Sequence, residues 1–501
     1  MSETEVLIEA VVTRRAVWSE KAVETAVSAI VDTLGVGVAG VFAPQARIAA
    51  ATILPTRVGA DDDDSRVPVV PLLTDTRSFA VADSAFVLGT AIHSMDWDDF
   101  MHPMHGHCSV VLLGALLPLG EAIDRSGKDL VDAFMVGYQV DWLVSLALSH
   151  AHYHRGWHAT STIGVLGAAA ACCHMLGLDA TKTRHALGIA ASRAGGIRAN
   201  FGTTTKALHA GFAARAGVEA ALLARAGATS SGDWLVGPSG MIATFGGQHT
   251  VHQAIVEVAE GAARTAEGRP VHALESPWGR VQKPFACCGS IHGAIDALLT
   301  LREEHGFEAT DVASVVAHVD PIVLDIMRYA SPSDENQARY SPTWVMAATL
   351  VDGAAGAAQF GLAALARPDI WAARDQVAVV GDWSTDDDAR FGGRVVVELH
   401  DGNSLVHEVS ESRGHPRRPL SAREQEAKLR SGVATVLDAE LAEPVVDAVR
   451  TVALQPVRRT TAAIRNGIRR QLSSVDSLQY DRAHEVGGAI RASQTVDERA
   501  S

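Results

Sequence analysis

The chain has 501 residues, 47% of them hydrophobic and 20% charged, with a formal net charge of −15. That length suits two or three domains with a large core, the composition is too apolar for general disorder, and the negative balance argues against a nucleic-acid partner, which needs a concentrated basic surface. Five cysteines, an odd number that includes the adjacent pairs Cys172-Cys173 and Cys287-Cys288, form no disulfide framework.

The start, MSETEVLIEAVVTRRAVWSE, is acidic and has no uninterrupted apolar core of a secretory signal. No run of about 18 residues reads as apolar enough for a membrane span. A cytoplasmic protein with no membrane partner is therefore expected. A small anionic substrate stays compatible with the charge, because it needs only a local positive pocket.

Residues 20–45 carry apolar positions at helical spacing and end in Gly and Pro, which predicts one buried helix and a stop. After the acidic loop ADDDDSR at 60–66 comes a short extended stretch. SFAVADSAFVLGTAIHSMD (78–96) then predicts an alanine-rich helix that leads into HSMDWDDFMHPMHGHCS (93–109). Residues 110–148 predict two helices separated at RSGKD, with Ser126 or Asp129 able to cap the second. Three further small-residue helices are expected between 161 and 227.

From about residue 270 the pattern changes. ASVVAHVDPIVL, DQVAVVGDW and GGRVVVELHDG alternate as strands do, while GSIHGAIDALLTLREEH and SPTWVMAATLVDGAAGAAQ remain helical. Helix returns at 419–437, and the final forty or so residues lose periodicity. The expected organisation is mostly α: a helical domain over 1–270, a smaller α+β domain over 271–408, a returning helical segment over 409–458 and a loosely ordered tail over 459–501.

Polar residues stand out as islands in this apolar chain. His102, His105 and His107, with Asp96, Asp98 and Asp99, offer metal-ligand types, but H-x-x-H-x-H matches no specific zinc signature and neither a cysteine pair nor HExxH accompanies it. HYHRGWHATSTIG places His154 and His158 just before a helix. NFGTTTKALHAGF places Lys206 and His209 at the start of another, and KPFACCGSIHGAID places Lys283, two cysteines and His292 at the start of a third. Cations and imidazoles beside helix N-termini, where free amide groups favour anions, suggest a pocket for a carboxylate-rich molecule.

In this order, five segments resemble the MmgE/PrpD family of 2-methylcitrate dehydratases, cis-aconitate decarboxylases and iminodisuccinate epimerases. They are SMDWDDFMHPMHGHCSVVLLGALLPLGEA, GWHATSTIGVLGAAAA, TKALHAGFAARAGVEAALLARAG, KPFACCGSIHGAIDALLTL and GHPRRPLSAREQEAKLR. The resemblance runs over roughly residues 10–455. It implies a large helical domain, an α+β lid inserted within it, an active site between the two, a homodimer, and no metal or organic cofactor. Matched motif by motif, it implies Asp96, His107, His158, Lys206 and His292 as catalytic residues, with Phe100, His102, His105, Lys283 and Cys288 about the substrate.

The implied chemistry is proton movement at a carbon next to a carboxylate, or loss of carbon dioxide to an equivalent carbanion. Imidazoles suit the proton, Lys206 suits the developing negative charge, and Asp96 would orient a histidine. Dehydration of a 2-methylcitrate-like β-hydroxy acid is the leading expectation. Decarboxylation of a cis-aconitate-type acid, epimerisation of an iminodisuccinate-like acid and non-catalytic binding of a small acid are its alternatives. Phe100 stands where several family members carry threonine, which points to a different substrate shape. Cys287 and Cys288 read as packing rather than nucleophiles, His209 as a helix-packing residue, and Arg339, Arg417 and Arg418 as ordinary arginines.

Overall fold

The computed structural model describes residues 3–12, 18–56, 68–246, 272–383 and 392–474. The acidic loop at 60–66 lies outside them. Helix α1 spans Glu3–Val12, and α2 spans Glu20–Gly40, its first turn capped by Ser19, which accepts from the Ala22 amide. The apolar pattern over 20–45 forms one buried helix and a stop. It ends at Gly40, and Pro44, suited to a first helical position, starts α3 (Pro44–Ala51). A two-stranded hairpin of β1 (Val69–Pro71) and β2 (Ser78–Ala80) follows, then α4 (Val81–His93).

Strand β3 (Phe100–Met101) precedes α5 (Cys108–Ala122) and α6 (Gly127–His154). Both Ser126 and Asp129 cap α6: the serine hydroxyl accepts from the Asp129 amide while the Asp129 carboxylate accepts from the Ser126 amide. Next come α7 (Ala159–Thr162), α8 (Gly164–Leu176), α9 (Ala180–Ala191) and α10 (Thr204–Arg225). Small residues set the spacing between α4 and α10. A Cβ built at Gly89 would lie 3.1 Å from Gly211 Cα, and one at Gly211 would lie 2.4 Å from Phe86 O. The pair runs antiparallel, with Asp83 bonded to Arg215 at one end. At the other, His93 meets Lys206.

The second part of the chain contains a four-stranded sheet in the order β6-β5-β7-β8, formed by β5 (Val312–His318), β6 (Val377–Val380), β7 (Gly393–Leu399) and β8 (Ser404–Val409). β5 pairs parallel to β6 and antiparallel to β7. The helix His292–His305 packs on β7 and β8. β4 (Arg280–Val281) leaves this part to pair with β3, Phe100 opposite Val281 and Met101 opposite Arg280. One continuous apolar core runs through both parts.

Two expectations need correction. Three helical stretches, Glu20–Gly40, Gly127–Leu148 and Ala159–Leu176, are long and apolar enough to cross a membrane, and they are 67%, 83% and 89% buried within the protein. Their apolar character is that of helices surrounded by other helices. The loosely ordered tail does not begin at 459: Val457–Ser474 is a helix that buries Val457, Thr460, Thr461, Ile464 and Ile468, and its Arg465 holds Glu121 of α5 at 2.9 Å. Residues 475–501 lie outside the described residues.

Candidate active site

The site begins at the C-terminus of α4, where the chain must turn sharply. Asp96 adopts φ +47, a left-handed conformation that aspartate tolerates better than most residues. The β3–β4 pairing then holds Phe100, His105 makes a second left-handed turn at φ +49, and the chain enters α5 with His107 at its N-cap. The His107 amide donates to Thr160 Oγ1 at 3.0 Å. His158 is the N-cap of α7, and Lys206 sits in the first turn of α10. Three helix starts and one helix end thus converge.

They line a cavity whose walls carry Asp96, Phe100, His105, His107, His158, Lys206 and Cys288. Tyr153 and Phe201 from the helical part and Gly289, Ser290, Ile326 and Tyr340 from the second part complete the wall. Three expected residues do not line it. Lys283 lies fully buried behind Asp96, and His102 packs its ring 5.5 Å from Trp278. His292, expected as catalytic, is buried with its ring against Phe285 at 5.0 Å.

Asp96 is the electrostatic hub. Its Oδ1 accepts from Lys206 Nζ and from Lys283 Nζ, each at 2.9 Å, and Lys283 also donates to the Asp96 carbonyl. Burial pushes the Asp96 carboxyl up, but the two ammonium groups outweigh it and hold it well below the ordinary carboxylate range. Burial likewise opposes the charge on Lys283, and Asp96 reverses that, leaving Lys283 above its ordinary value. One carboxylate shared by two ammonium groups leaves this trio with a net positive charge.

Sequence reasoning missed the relay behind this wall. His93 Nδ1 lies 2.8 Å and His107 Nδ1 3.1 Å from the same oxygen of Asp98, and His107 Nδ1 also lies 2.9 Å from the Asp99 carbonyl. Carboxylate and carbonyl oxygens only accept, so both Nδ1 atoms carry hydrogen. The Lys206 ammonium, 3.0 Å away, donates to His93 Nε2. His93 is therefore neutral: burial, with Lys206 adding to it against Asp98, lowers it to about 3. In His107, whose Nδ1 is taken by Asp98 and the Asp99 carbonyl, Nε2 is the remaining ring nitrogen. Burial raises the Asp98 carboxyl, but the two imidazoles reverse this and leave it well below its ordinary value.

His93, Asp98 and His107 could also gather about a cation, since their ligand atoms lie within 4.8 Å of one another. Hydrogen bonds already satisfy the two Nδ1 atoms that face Asp98, and the Lys206 ammonium occupies the remaining nitrogen of His93.

His209 also does more than pack. Its Nδ1 lies 2.9 Å from His158 Nδ1, so one of the two donates and the other accepts. Burial, then His209, Lys206 and His93, lower His158 far below the ordinary imidazole value. His158 thus meets the cavity as a neutral ring. Burial and the Asp96 carboxylate raise the Cys288 thiol, so it stands in the wall protonated. Arg417 pairs with Glu411, Arg418 pairs with Asp296, and Arg339 is buried beside Glu335; none of the three lines the cavity.

The residues missed were close to view. His93 and Asp98 both lie in HSMDWDDF and Tyr340 follows Arg339 in NQARYSP, but spacing alone does not show which aspartate faces which histidine.

Residues 10–254 match the MmgE/PrpD N-terminal domain and residues 285–453 the MmgE/PrpD C-terminal domain. The chain is 30% identical to cis-aconitate decarboxylase of Homo sapiens over 446 residues, 87% of this chain and 88% of that protein. It is 31% identical to cis-aconitate decarboxylase of Mus musculus over 385 residues, 73% and 74% of the two chains. It is 25% identical to cis-aconitate decarboxylase of Aspergillus terreus over 398 residues, 74% and 77%. The relatives that match this chain share the decarboxylase name, and with both domain models matched in order, the chain belongs to the MmgE/PrpD family.

Proposed function

We propose that the protein is a carboxy-lyase that releases carbon dioxide from cis-aconitate or a close tricarboxylic analogue. The observation that carries this reading is the similarity to proteins named cis-aconitate decarboxylase over 87% of the chain. Dehydration of a 2-methylcitrate-like acid, the leading expectation from sequence, has no such support among the named relatives. The cavity chemistry fits decarboxylation, which needs a cation for the carboxylates and one proton donor.

In this reading Lys206 holds a substrate carboxylate, and its charge, with that of Lys283 behind Asp96, stabilises the negative charge that develops as the C–C bond to the departing carboxylate breaks. The electron pair stays on carbon and delocalises through the double bond onto the next carboxylate. His107, as imidazolium paired with Asp98, delivers its Nε2 proton to carbon and regains one from water. His158, neutral and fixed by His209, hydrogen-bonds the substrate. In this reading residues 271–408 act as the cover, since Ser290 and Tyr340 contribute to the cavity wall. No metal or organic cofactor enters the scheme, and the homodimer implied by the family stays part of the proposal.

The test is a panel of cis-aconitate, methylcitrate, citrate and an iminodisuccinate-like acid, each followed for carbon dioxide and for water loss. Carbon dioxide from cis-aconitate at a rate well above the other acids supports the reading. Water loss from methylcitrate without carbon dioxide from any acid overturns it.

A further inference from the structure

Behind the cavity, outside its lining, lies a second layer of charge. Arg280 Nε donates to Asp99 Oδ2 at 2.5 Å, its Nη2 to Asp32 Oδ2 at 3.0 Å and its Nη1 to Ser28 Oγ at 3.2 Å. Lys428, from the helix Ala422–Ala434, reaches Asp32 Oδ1 at 2.7 Å and donates to the Trp97 carbonyl at 2.9 Å. Ser109 donates to Asp99 Oδ2 at 2.8 Å. Two cations and two carboxylates balance here, all of them buried. Such a network costs desolvation and gives little net stability over an apolar core, so stability alone does not account for it.

A role follows from what it grips. Lys428 holds the loop at Trp97, one residue before Asp98. Arg280 holds the side chain of Asp99, whose own carbonyl accepts from His107 Nδ1. The β3–β4 pairing places Arg280 opposite Met101. The segment that carries the Asp98–His93–His107 relay is thus anchored on both sides by groups from α2, β4 and the helix Ala422–Ala434. We propose that Arg280 and Lys428, joined through Asp32, are positioning residues that set the orientation of the Asp98–His107 pair. The effect on turnover rests on the decarboxylase reading; the effect on His107 does not.

Arg280→Lys tests the proposal with the charge kept, because one ammonium cannot span Asp99, Asp32 and Ser28 as the guanidinium fork does. A kcat on cis-aconitate at least tenfold lower per folded enzyme is expected, with KM within about threefold, since the loop serves proton delivery more than binding. The double variant Asp32→Asn with Lys428→Met removes a charge pair together, so it tests the same point without leaving a buried ion alone. The 15N resonances of His107 in histidine-labelled protein give a readout independent of turnover. Arg280→Lys should shift them from the Nδ1–H form, and this decides the proposal even if wild-type protein leaves cis-aconitate untouched. Unchanged kcat per folded enzyme, or unchanged His107 resonances in folded Arg280→Lys, overturns it.

Discussion

Lys206 Nζ stands 3.0 Å from His93 Nε2, while the opposite nitrogen of that ring stands 2.8 Å from Asp98. An ammonium on one side and a carboxylate on the other hold His93 neutral, so it transmits position rather than charge. Lys206 does two jobs through this contact: it presents a cation to the cavity and it fixes the far end of the relay. Lys206→Met should lower kcat/KM on cis-aconitate by about 10³-fold, and Lys206→Arg should fail to restore it because a planar guanidinium cannot meet Asp96 and His93 as a point donor does. Steady-state kinetics on protein shown folded by circular dichroism check both.

Asp98→Asn should lower kcat by about 10²-fold with KM changed less than about threefold, because it removes the anion that pairs with His107 and leaves the cavity walls in place. A larger change in KM than in kcat would show that Asp98 acts in binding instead.

Buried neutral histidines make stability fall with acid. Burial lowers His93 to about 3 and His152, His209 and His272 to about 4, and it lowers His158 and His292 well below the ordinary imidazole value. Each has a folded value below its unfolded 6.5. The unfolded chain therefore binds more protons below pH 6.5, and stability is lost as pH falls from there towards 4, at ~1.4 kcal/mol per pH unit for each group. Asp141, raised well above its ordinary value by burial, opposes this with one proton of its own. Unfolding at pH 5 should take up roughly four to five protons, measured as the slope of stability against pH. A slope near zero between pH 6 and 5 would contradict the neutral assignments.

Gly211→Ala should destabilise the fold by about 1–3 kcal/mol, because the new Cβ would stand 2.3 Å from Thr90 Oγ1 and 2.4 Å from Phe86 O, and a backbone carbonyl cannot move aside. Since α4 and α10 carry His93 and Lys206, the same change should lower activity per folded molecule. Thermal melts and kinetics on one sample separate the two effects.

Much of this was legible in the chain. Polar islands in an apolar sequence marked the loops that reach the cavity, and Asp96, His107, His158 and Lys206 all line it. What was hidden depends on distant pairing. Which aspartate of DWDD meets a histidine depends on the left-handed turn at Asp96 and on β4, some 180 residues away, so His93 went unnamed and Asp98 was named only among metal-ligand types. His292 shares a motif with Lys283 and Cys288, but Phe285 packs against its ring and helix direction carries it away from the cavity. The helix Val457–Ser474 escaped notice because its buried stripe is thin and its other face is crowded with arginine.

Proton delivery during carbon dioxide loss is the central claim, and turnover of cis-aconitate in deuterated water tests it most directly. Mass spectrometry of the product and measurement of the gas should give one deuterium in the product for each carbon dioxide released, with both lost together in His107→Gln. Release of water without carbon dioxide, or deuterium exchange into unreacted substrate alone, would contradict the account.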